Sequence, residues 1–421
     1  KPGTRKYVLP WVNFHATKNY HQMARLAEET GYPCTFNIVP CLADQIRDYA
    51  AGRAEDETQQ YFECRPEDLG RAGLERLRPF APGEDDPARL QVRALRSFFS
   101  PVDEIPEGKE ALLGRQREIL AGLIPRFRRL LEEGRVEVTT SPYYHPLTPL
   151  VFDIRAAAGH DLPPVPFAYP EDGRLHIDRA RAFMDGLFGK APRGLWPSEG
   201  GISREVAAAA ARSGFAYAVT DENVLWKSLG GGAERKRLFA PSRTEDLTIF
   251  FRDRELSDLI GFTYHRWNER DAVADFLGRV ESRRREAGDD ALLVIALDGE
   301  NAWGSYPGNG LPFLRELLGR ILSTPTLRPV FFEDALAARG PGEEVDLVPG
   351  TWLGDFSKWV GSPAKNEGWT SLARAREICG PVEEILVAEG SDWFWWFGEN
   401  EPVFDALFKD YCRAALDRAG G

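Results

Sequence analysis

The sequence lacks the features that mark several large classes of protein. None of its apolar runs approaches the ~20 residues that a membrane-spanning helix needs, so we expect no membrane association. No charged-then-apolar leader opens the chain, and the start at Lys1 rather than Met leaves a processed start open. The five cysteines are odd in number and show no Cys-x-x-Cys spacing. They argue against a disulfide framework or a zinc knuckle and favour free thiols in a reducing, cytoplasmic compartment.

An excess of basic residues is also missing. The net charge is −12, from 53 Lys and Arg against 65 Asp and Glu, and both signs are scattered along the chain. Because nucleic acid requires a basic surface, the charge argues against such a partner and is compatible with a neutral ligand such as a sugar. We find no internal repeat and no feature that predicts the oligomeric state.

Tryptophan, by contrast, is abundant. The chain has 11 Trp, many of them in short clusters rather than at the spacing of a helix or strand core. Indole rings stack on the apolar C–H faces of sugars, although for most individual Trp residues core packing is the simpler interpretation.

The hydrophobic pattern alternates between short apolar runs and amphipathic segments. The predicted strands are 6–12, 34–39, 136–140, 193–197, 216–220, 247–252, 292–297 and 328–332. The predicted helices between them are 17–30, 108–133, 202–213 and 269–287. Apolar strands that alternate with helices pair in parallel, and roughly seven such units favour a closed barrel over an open sheet.

Two segments depart from this alternation. Residues 53–107 are polar and rich in Pro, Gly and charge, so we interpret them as a surface insertion that could serve as a lid. After about residue 345, helical segments near 365–388 and 401–417 follow each other without a strand. The predicted organisation is therefore a catalytic barrel over 1–345 and a helical region over 346–421 that packs on the barrel and borders its groove.

Polar side chains collect after the predicted strands, where a parallel barrel places its active site. In chain order they are His15, His145, Glu199, Asp221, Glu222, Asp253, Asp258, His265, Asp298 and Glu300. Their neighbours are Trp, Tyr, Gly and Pro rather than the Lys and Ser of an ordinary loop. Singly, Glu199 could be a helix N-terminal acid, Asp298 a turn residue, and either histidine a core residue. Two carboxylates on neighbouring strands suit glycoside hydrolysis, in which one attacks the anomeric carbon and the other moves the proton.

Six stretches, found in order along nearly the whole chain, make it resemble glycoside hydrolase family 57, a family of retaining α-amylases, amylopullulanases and 4-α-glucanotransferases. They are WVNFHATKNY, SPYYHPLTPL, GLWPSEGG, SDLIGFTYHRW, LDGENAWGSYPGNG and SDWFWWFGENE. The resemblance implies an α/β fold, an incomplete (β/α)7 TIM-like barrel with a C-terminal helical region. It also implies Glu199 as the nucleophile and Asp298 as the general acid/base, and no metal or organic cofactor.

The resemblance further implies an α-glucan substrate and a set of substrate-binding residues. His15, His145 and Trp196 match positions at the cleavage point, and Trp352 and Trp396 lie in similar segments. We add Asp221, Asp258, His265, Glu300 and Trp303 from their places after strands; core packing explains Trp303 about equally well. The chain departs from the family where Gly200 and Gly201 follow the nucleophile, at positions where bulkier residues are common.

Three alternatives remain open from the sequence. A 4-α-glucanotransferase or a glucan branching enzyme would use the same carboxylate pair. A metal-dependent deacetylase or mannosidase-like barrel could use His15, His145 and His265, although no close His-x-x-x-His pair is present. A carbohydrate-binding protein without activity should have lost one carboxylate, and both are present. The linkage and the chain length of the glucan are not encoded in these motifs.

Overall fold

The strands are short, and the longer ones form where apolar and β-branched side chains run together. The structure, a computed structural model, describes residues 1–230, 234–300 and 302–420. The strands among these residues are β1 (Lys6–Tyr7), β2 (Cys34–Asn37), β3 (Glu55–Asp56), β4 (Val136–Thr139), β5 (Gly194–Leu195), β6 (Tyr217–Asp221), β7 (Ser242–Thr244), β8 (Leu247–Arg252) and β9 (Glu343–Glu344). Every residue of β4, β6 and β8 is buried, as expected of strands covered on both faces.

Five of these strands form a parallel series. β2 pairs with β4, and β5 pairs with β6, which pairs with β8. A single bridge between Thr140 and Leu195 connects the two groups, and another between Arg252 and Val294 extends the series. The carboxyl ends of the strands therefore lie along one edge, where the site is found. On the other side of β8, β7 is antiparallel to β8 and carries β9.

Three predicted strands differ from the structure. The segment 6–12 is a strand only at Lys6–Tyr7, because helix α1 (Trp11–His15) begins directly after Pro10, whose fixed φ is suited to a helix start. The run 292–297 forms only the bridge at Val294, and 328–331 forms no strand. The pairings of the described strands do not close into a ring. The fold of the described residues is α/β and mostly helical.

Helices make up most of the chain. In the first half they are α1 (Trp11–His15), α2 (His21–Thr30), α3 (Pro40–Ala50), α4 (Glu57–Glu63), α5 (Gly70–Leu77), α6 (Pro87–Arg96), α7 (Lys109–Glu132), α8 (Thr148–Phe152) and α9 (Pro170–Phe188). In the second half they are α10 (Arg204–Arg212), α11 (Glu222–Leu229), α12 (Arg254–Asp258), α13 (Glu269–Ala287), α14 (Leu311–Ser323), α15 (Phe332–Arg339), α16 (Pro363–Cys379), α17 (Glu383–Ala388), α18 (Ser391–Trp396) and α19 (Pro402–Gly420). Among the described residues, no helix combines the length and the apolar composition that crossing a membrane demands.

The segment 53–107 is helical and has a core of its own. Its helices α4 to α6 enclose Phe62, Leu90 and Phe98, which pack against Leu112 at the start of α7. The segment is therefore an ordered helical layer.

The helices after residue 345 follow the predicted pattern and pack against a distant part of the chain. The buried aromatic side chains of this region include Trp359, Trp369 and Phe394, and the rings of Trp369 and Phe394 stack with centroids 3.9 Å apart. This apolar cluster continues into Leu147 and Phe167, on the segment that follows β4. The packing places the start of α18 beside the carboxyl ends of β4 and β5.

Candidate active site

Glu199 lies in a tight turn directly after β5, in an unusual backbone conformation. Its φ of 59° and ψ of 23° are left-handed, a conformation that costs a residue with a Cβ roughly 1–2 kcal/mol. The main-chain N–H of Trp352 donates to the Glu199 carbonyl at 3.1 Å, and the Thr220 hydroxyl donates to the carbonyl of Gly200 at 2.6 Å. Strain that is held by surrounding contacts is common at functional sites.

The glycine pair after Glu199 is explained by close packing. A Cβ at Gly201 would lie 2.5 Å from a methyl carbon of Leu147 and 2.9 Å from the carbonyl oxygen of Ser198. Gly200 has a φ of 61°, which favours glycine. The departure from the family pattern thus lets the turn sit directly under Leu147.

The carboxylate of Glu199 is almost fully buried, and each of its oxygens accepts a hydrogen bond. The indole N–H of Trp352 donates to Oε2 at 3.1 Å, and the hydroxyl of Ser391 donates to Oε1 at 3.3 Å. Burial, together with the negative charges of Asp392 and Asp298, raises the pKa of Glu199 to about 8, against the two hydrogen bonds. The two predicted catalytic carboxylates are therefore close enough to interact electrostatically.

His145 follows β4 and is linked to the same serine. Its Nδ1 lies 3.0 Å from the Ser391 hydroxyl, and its carbonyl accepts from the Ser391 N–H at 2.9 Å. Burial lowers the pKa of His145, and the nearby carboxylates of Asp392 and Asp298 only partly oppose this. The ring is thus a neutral imidazole at neutral pH. The backbone of His145 has a φ of 56°, which is left-handed like that of Glu199.

Asp392 is a carboxylate of the site that sequence reasoning missed. One oxygen of Asp392, one of Glu199 and a ring nitrogen of His145 all lie within 4.8 Å of one another, and Asp392 is exposed. The segment SDWFWWFG contributed to the family resemblance and to the list of tryptophans, but its acid was assigned no role. In the described part of the chain, this trio is also the cluster of His, Cys, Asp and Glu side chains that could hold a metal ion.

Glu300 and Tyr20 form a second polar pair near Asp298. Burial and the negative charge of Asp298 together raise the pKa of Glu300 to about 7, although a hydrogen bond from Tyr20 opposes the shift. Burial and these carboxylates raise the pKa of Tyr20 well above its usual value, so its hydroxyl stays protonated and can donate. Tyr20 was not among the predicted site residues; its place in WVNFHATKNY was the available signal.

His15 ends helix α1 and faces Tyr20. Its Nδ1 lies 2.8 Å from the side-chain amide nitrogen of Asn19, and its ring centroid lies 6.2 Å from that of Tyr20. Burial lowers the pKa of His15 to about 4, with a smaller contribution from the positive charge of Lys18. The amide of Asn19 also donates to the Glu300 carbonyl at 3.4 Å, which connects the segment between α1 and α2 to the loop of Asp298 and Glu300.

Two predicted tryptophans lie beside Glu199. The rings of Trp196 and Trp352 meet edge to face with centroids 5.8 Å apart. The guanidinium of Arg252 lies 5.6 Å from the centre of the Trp352 ring and so supports the indole that holds Glu199.

The remaining predicted residues have other contacts. Asp221 is fully buried, caps helix α11 and lies 3.3 Å from Arg252; burial raises its pKa to about 7. Asp258 also pairs with Arg252. The ring nitrogen Nε2 of His265 accepts from Arg266 at 3.1 Å. Asp221 and Asp258 therefore act on the site through Arg252 and Trp352.

Trp303 and Trp396 differ in exposure. Trp303 is 2% exposed and packs against Tyr306, with its indole N–H donated to the Gly299 carbonyl at 3.0 Å. Its ring thus has no free face for a sugar, and core packing is the interpretation that fits Trp303. Trp396 is 37% exposed and stacks on Phe404, with centroids 5.6 Å apart.

Comparison with known proteins gives consistent matches. The family model for glycosyl hydrolase family 57 matches residues 1–345. An α-amylase of Pyrococcus horikoshii is 22% identical over 289 residues, which are 64% of this chain and 40% of the relative. An α-amylase of Pyrococcus furiosus is 23% identical over 283 residues, 64% of this chain and 38% of that protein. The chain therefore spans about 40% of the length of these relatives.

Solved structures share the fold. A branching enzyme of this family from Thermococcus kodakaraensis superposes with a TM-score of 0.66 at 17% identity, covering 96% of this chain and 83% of the other. The α-amylase AmyC from Thermotoga maritima superposes with a TM-score of 0.64 at 15% identity, covering 97% and 88%. A 4-α-glucanotransferase from Thermococcus litoralis reaches a TM-score of 0.54 at 20% identity, covering 72% and 51%.

Proposed function

Because this chain belongs to glycosyl hydrolase family 57, we propose that it cleaves α-glucosidic bonds of an α-glucan with retention, through a covalent intermediate on Glu199. Asp298 is the general acid/base of this proposal. The observation that supports it most directly is the environment of the Glu199 carboxylate. Both of its oxygens accept hydrogen bonds, and the negative charge of Asp298 helps to raise its pKa. Retaining glycosidases need such a pair of carboxyl groups, one as nucleophile and one as acid/base.

The first half of the reaction uses the orientation of Glu199. An oxygen of Glu199 attacks the anomeric carbon, the glycosidic C–O bond breaks, and Asp298 gives its proton to the leaving oxygen. The donors on Trp352 and Ser391 fix the carboxylate and thereby select its attacking direction. The carboxylates of Asp392 and Glu300 add negative charge that favours the developing positive charge of the sugar.

The second half depends on the shared charge of the carboxylates. Their mutual repulsion and burial favour holding a proton within the site, and this proton must be on Asp298 when the leaving group departs. Once Glu199 is glycosylated, its negative charge is gone and Asp298 ionises more readily. Asp298 can then take a proton from water, which hydrolyses the intermediate.

The acceptor decides between hydrolysis and transfer. The relatives are named as α-amylases, a branching enzyme and a 4-α-glucanotransferase, so both outcomes occur among similar proteins. We propose hydrolysis of the amylase or amylopullulanase type, with glucanosyl transfer as the second candidate. Product analysis on maltooligosaccharides, starch and pullulan distinguishes the two and identifies the linkage.

The architecture that we propose is an incomplete (β/α)7 barrel over 1–345, with the helices of 346–421 bordering its groove. The parallel series from β2 to β8 supports the barrel, and the contact of Ser391 with Glu199 supports the border. Trp196 and Trp352, half-buried beside Glu199, are the aromatic surfaces that we assign to the sugar.

The test combines two variants with a pH–rate profile. Glu199→Gln and Asp298→Asn should each lower kcat on unactivated glucan by about 10²-fold or more, since each removes an essential proton or electron-pair transfer. Only Asp298→Asn should also remove the basic limb of the pH–rate profile. Glu137→Gln is the matched control, because Glu137 is a buried carboxyl that accepts from Tyr217 and from the main chain of Phe332. Near-normal turnover by either site variant would refute the assignment.

A further inference from the structure

A buried chain of side-chain amides connects His15 to the turn at 307–310, which precedes α14. Its members Asn19, Gln22 and Asn309 are at most 8% exposed. Asn309 Nδ2 donates to Asn19 Oδ1 at 3.0 Å and to Gln22 Oε1 at 3.1 Å. Asn19 Nδ2 in turn lies 2.8 Å from His15 Nδ1. Buried amides that bond to one another in this way hold each other in one orientation.

The orientation of the amides follows from two main-chain carbonyls, which can only accept. Gln22 Nε2 donates to the carbonyl of Asn309 at 2.8 Å, so Gln22 Oε1 is the atom that meets the Asn309 side chain and needs a donor there. Asn19 Nδ2 donates to the carbonyl of Glu300 at 3.4 Å, so the amide nitrogen of Asn19 is the atom on the side of His15. Both ends of the chain therefore require the same order of donors and acceptors.

This order determines which ring nitrogen of His15 carries the proton. Because Asn19 presents an N–H to Nδ1, the Nδ1 atom is the unprotonated nitrogen that accepts. Burial lowers the pKa of His15 to about 4, so at neutral pH the ring is neutral and its one proton is on Nε2. In this tautomer Nε2 can donate a hydrogen bond to an oxygen of a sugar, whereas in the other tautomer it could only accept.

The backbone of Asn309 shows that the residue is retained for its side chain. Its φ is 53°, and it lies between Gly308 and Gly310, which are left-handed as well. A left-handed conformation is disfavoured for a residue with a Cβ, although asparagine tolerates it better than most. Glycine would form the same turn with less strain but would supply neither N–H donor. The donors, and not the turn, therefore explain the asparagine.

Resting on the proposed function, we propose that Asn309 is a positioning residue, which sets the orientation of the Asn19 amide and thereby holds His15 as a hydrogen-bond donor toward the substrate. Asn309 is buried, so it acts through Asn19 rather than on the sugar. Its place shortly after Glu300 lets one stretch of chain supply both groups that fix Asn19, the Glu300 carbonyl and the Asn309 amide.

The test reverses the order of donors and acceptors. Asn309→Asp keeps the shape of the side chain but places a carboxylate oxygen where Nδ2 donated. Asn19 should then turn its N–H toward residue 309 and its oxygen toward His15, and the ring proton should move to Nδ1. Asn19→Asp is the second variant, which places an acceptor directly against Nδ1. Ser100→Ala is the matched control, because the Ser100 hydroxyl donates to Gln22 Oε1 and its loss leaves the order of the amides unchanged.

The position of the proton is read by NMR of protein that contains ¹⁵N-labelled histidine, since protonated and unprotonated ring nitrogens have different chemical shifts. The chain has 6 His, and His15→Gln identifies the signals of His15 by their loss. At neutral pH the wild type and Ser100→Ala should carry the proton on Nε2, and both Asp variants should carry a proton on Nδ1. Thermal unfolding of each variant checks that it is folded.

Activity supplies the second measurement. On a maltooligosaccharide, kcat/KM should fall about 10- to 100-fold in Asn309→Asp, the effect of leaving a buried polar group of the complex without its partner. Ser100→Ala should stay close to the wild type.

The outcomes separate this inference from the proposed function. A proton on Nδ1 in the wild type overturns the inference whatever the activity, and so do folded Asp variants whose proton stays on Nε2. A folded Asn309→Asp variant with a moved proton and an unchanged kcat/KM overturns the positioning role. A wild type that carries the proton on Nε2 but cleaves no α-glucan overturns the proposed function and the role toward the sugar, whereas the NMR result still decides whether Asn309 sets the tautomer.

Discussion

Replacing Trp352 by Phe should shift the acidic limb of the pH–rate profile. The substitution removes the indole N–H that donates to Glu199 Oε2 at 3.1 Å. It keeps an aromatic ring facing Trp196 and Arg252, and the main-chain N–H of residue 352 still donates to the Glu199 carbonyl. The perturbation is therefore largely confined to one hydrogen bond.

The magnitude follows from the strength of that bond. A hydrogen bond to a charged group contributes about 1.5–3 kcal/mol, and 1.36 kcal/mol corresponds to one pH unit of pKa. The bond favours the ionised form of Glu199, so its loss should raise the pKa of this carboxyl by about one to two pH units. Because the nucleophile must be ionised, the acidic limb should move to higher pH by the same amount.

The assay is kcat/KM against pH on an activated α-glucoside, with chemical denaturation to confirm folding. Trp196→Phe is the control, since among the described residues its indole N–H makes no hydrogen bond to Glu199. It should change kcat/KM without moving the limb. A folded Trp352→Phe variant with an unmoved acidic limb would show that the limb does not report Glu199, or that the indole does not act on it.

Three further predictions address stability, binding and architecture. Glu199→Gln should have a larger free energy of unfolding than the wild type, by an amount that grows from about pH 4.5 to about pH 8. Across this window the unfolded chain releases the proton that folded Glu199 retains, which destabilises the wild type. Denaturant titrations at stepped pH measure the difference. Trp196→Ala should weaken substrate binding and turnover while the protein stays folded; a large drop in Tm with full residual activity would mean that the ring is only core. Truncation after residue 345 should give insoluble protein, because it uncovers Leu147 and Phe167; soluble truncated protein that cleaves long glucans normally would contradict the proposed border.

Local signals located the ends of two long helices closely. The predicted helix 269–287 has the same bounds as α13. The bounds of α7 each lie one residue inside the predicted helix 108–133. Caps and glycines carry this information within a few residues. The prediction of a strand at 292–297 was wrong, because a buried strand and a buried irregular segment have the same composition.

The candidate site was predictable where a motif and a strand end coincide, as at Glu199 and His145. Asp392 was not, because its place depends on the packing of α16 to α19 against residues after β4. No periodicity links positions this far apart in the chain. The left-handed conformation of Glu199 was equally inaccessible, since it depends on the contacts of Trp352 and Thr220 with the turn.

The apolar cluster that joins residues 147–167 to residues 356–415 has a consequence for biosynthesis. Nearly 190 residues separate its halves, and at ~5–20 residues per second a ribosome needs roughly 10–40 s to produce them. Throughout that interval Leu150 and Phe167 lack the side chains of residues 356–415 that complete their cluster. Exposed apolar segments of this kind associate with other nascent chains. The yield of folded protein should therefore depend on translation speed and on chaperones that cover this segment until its partner has been made.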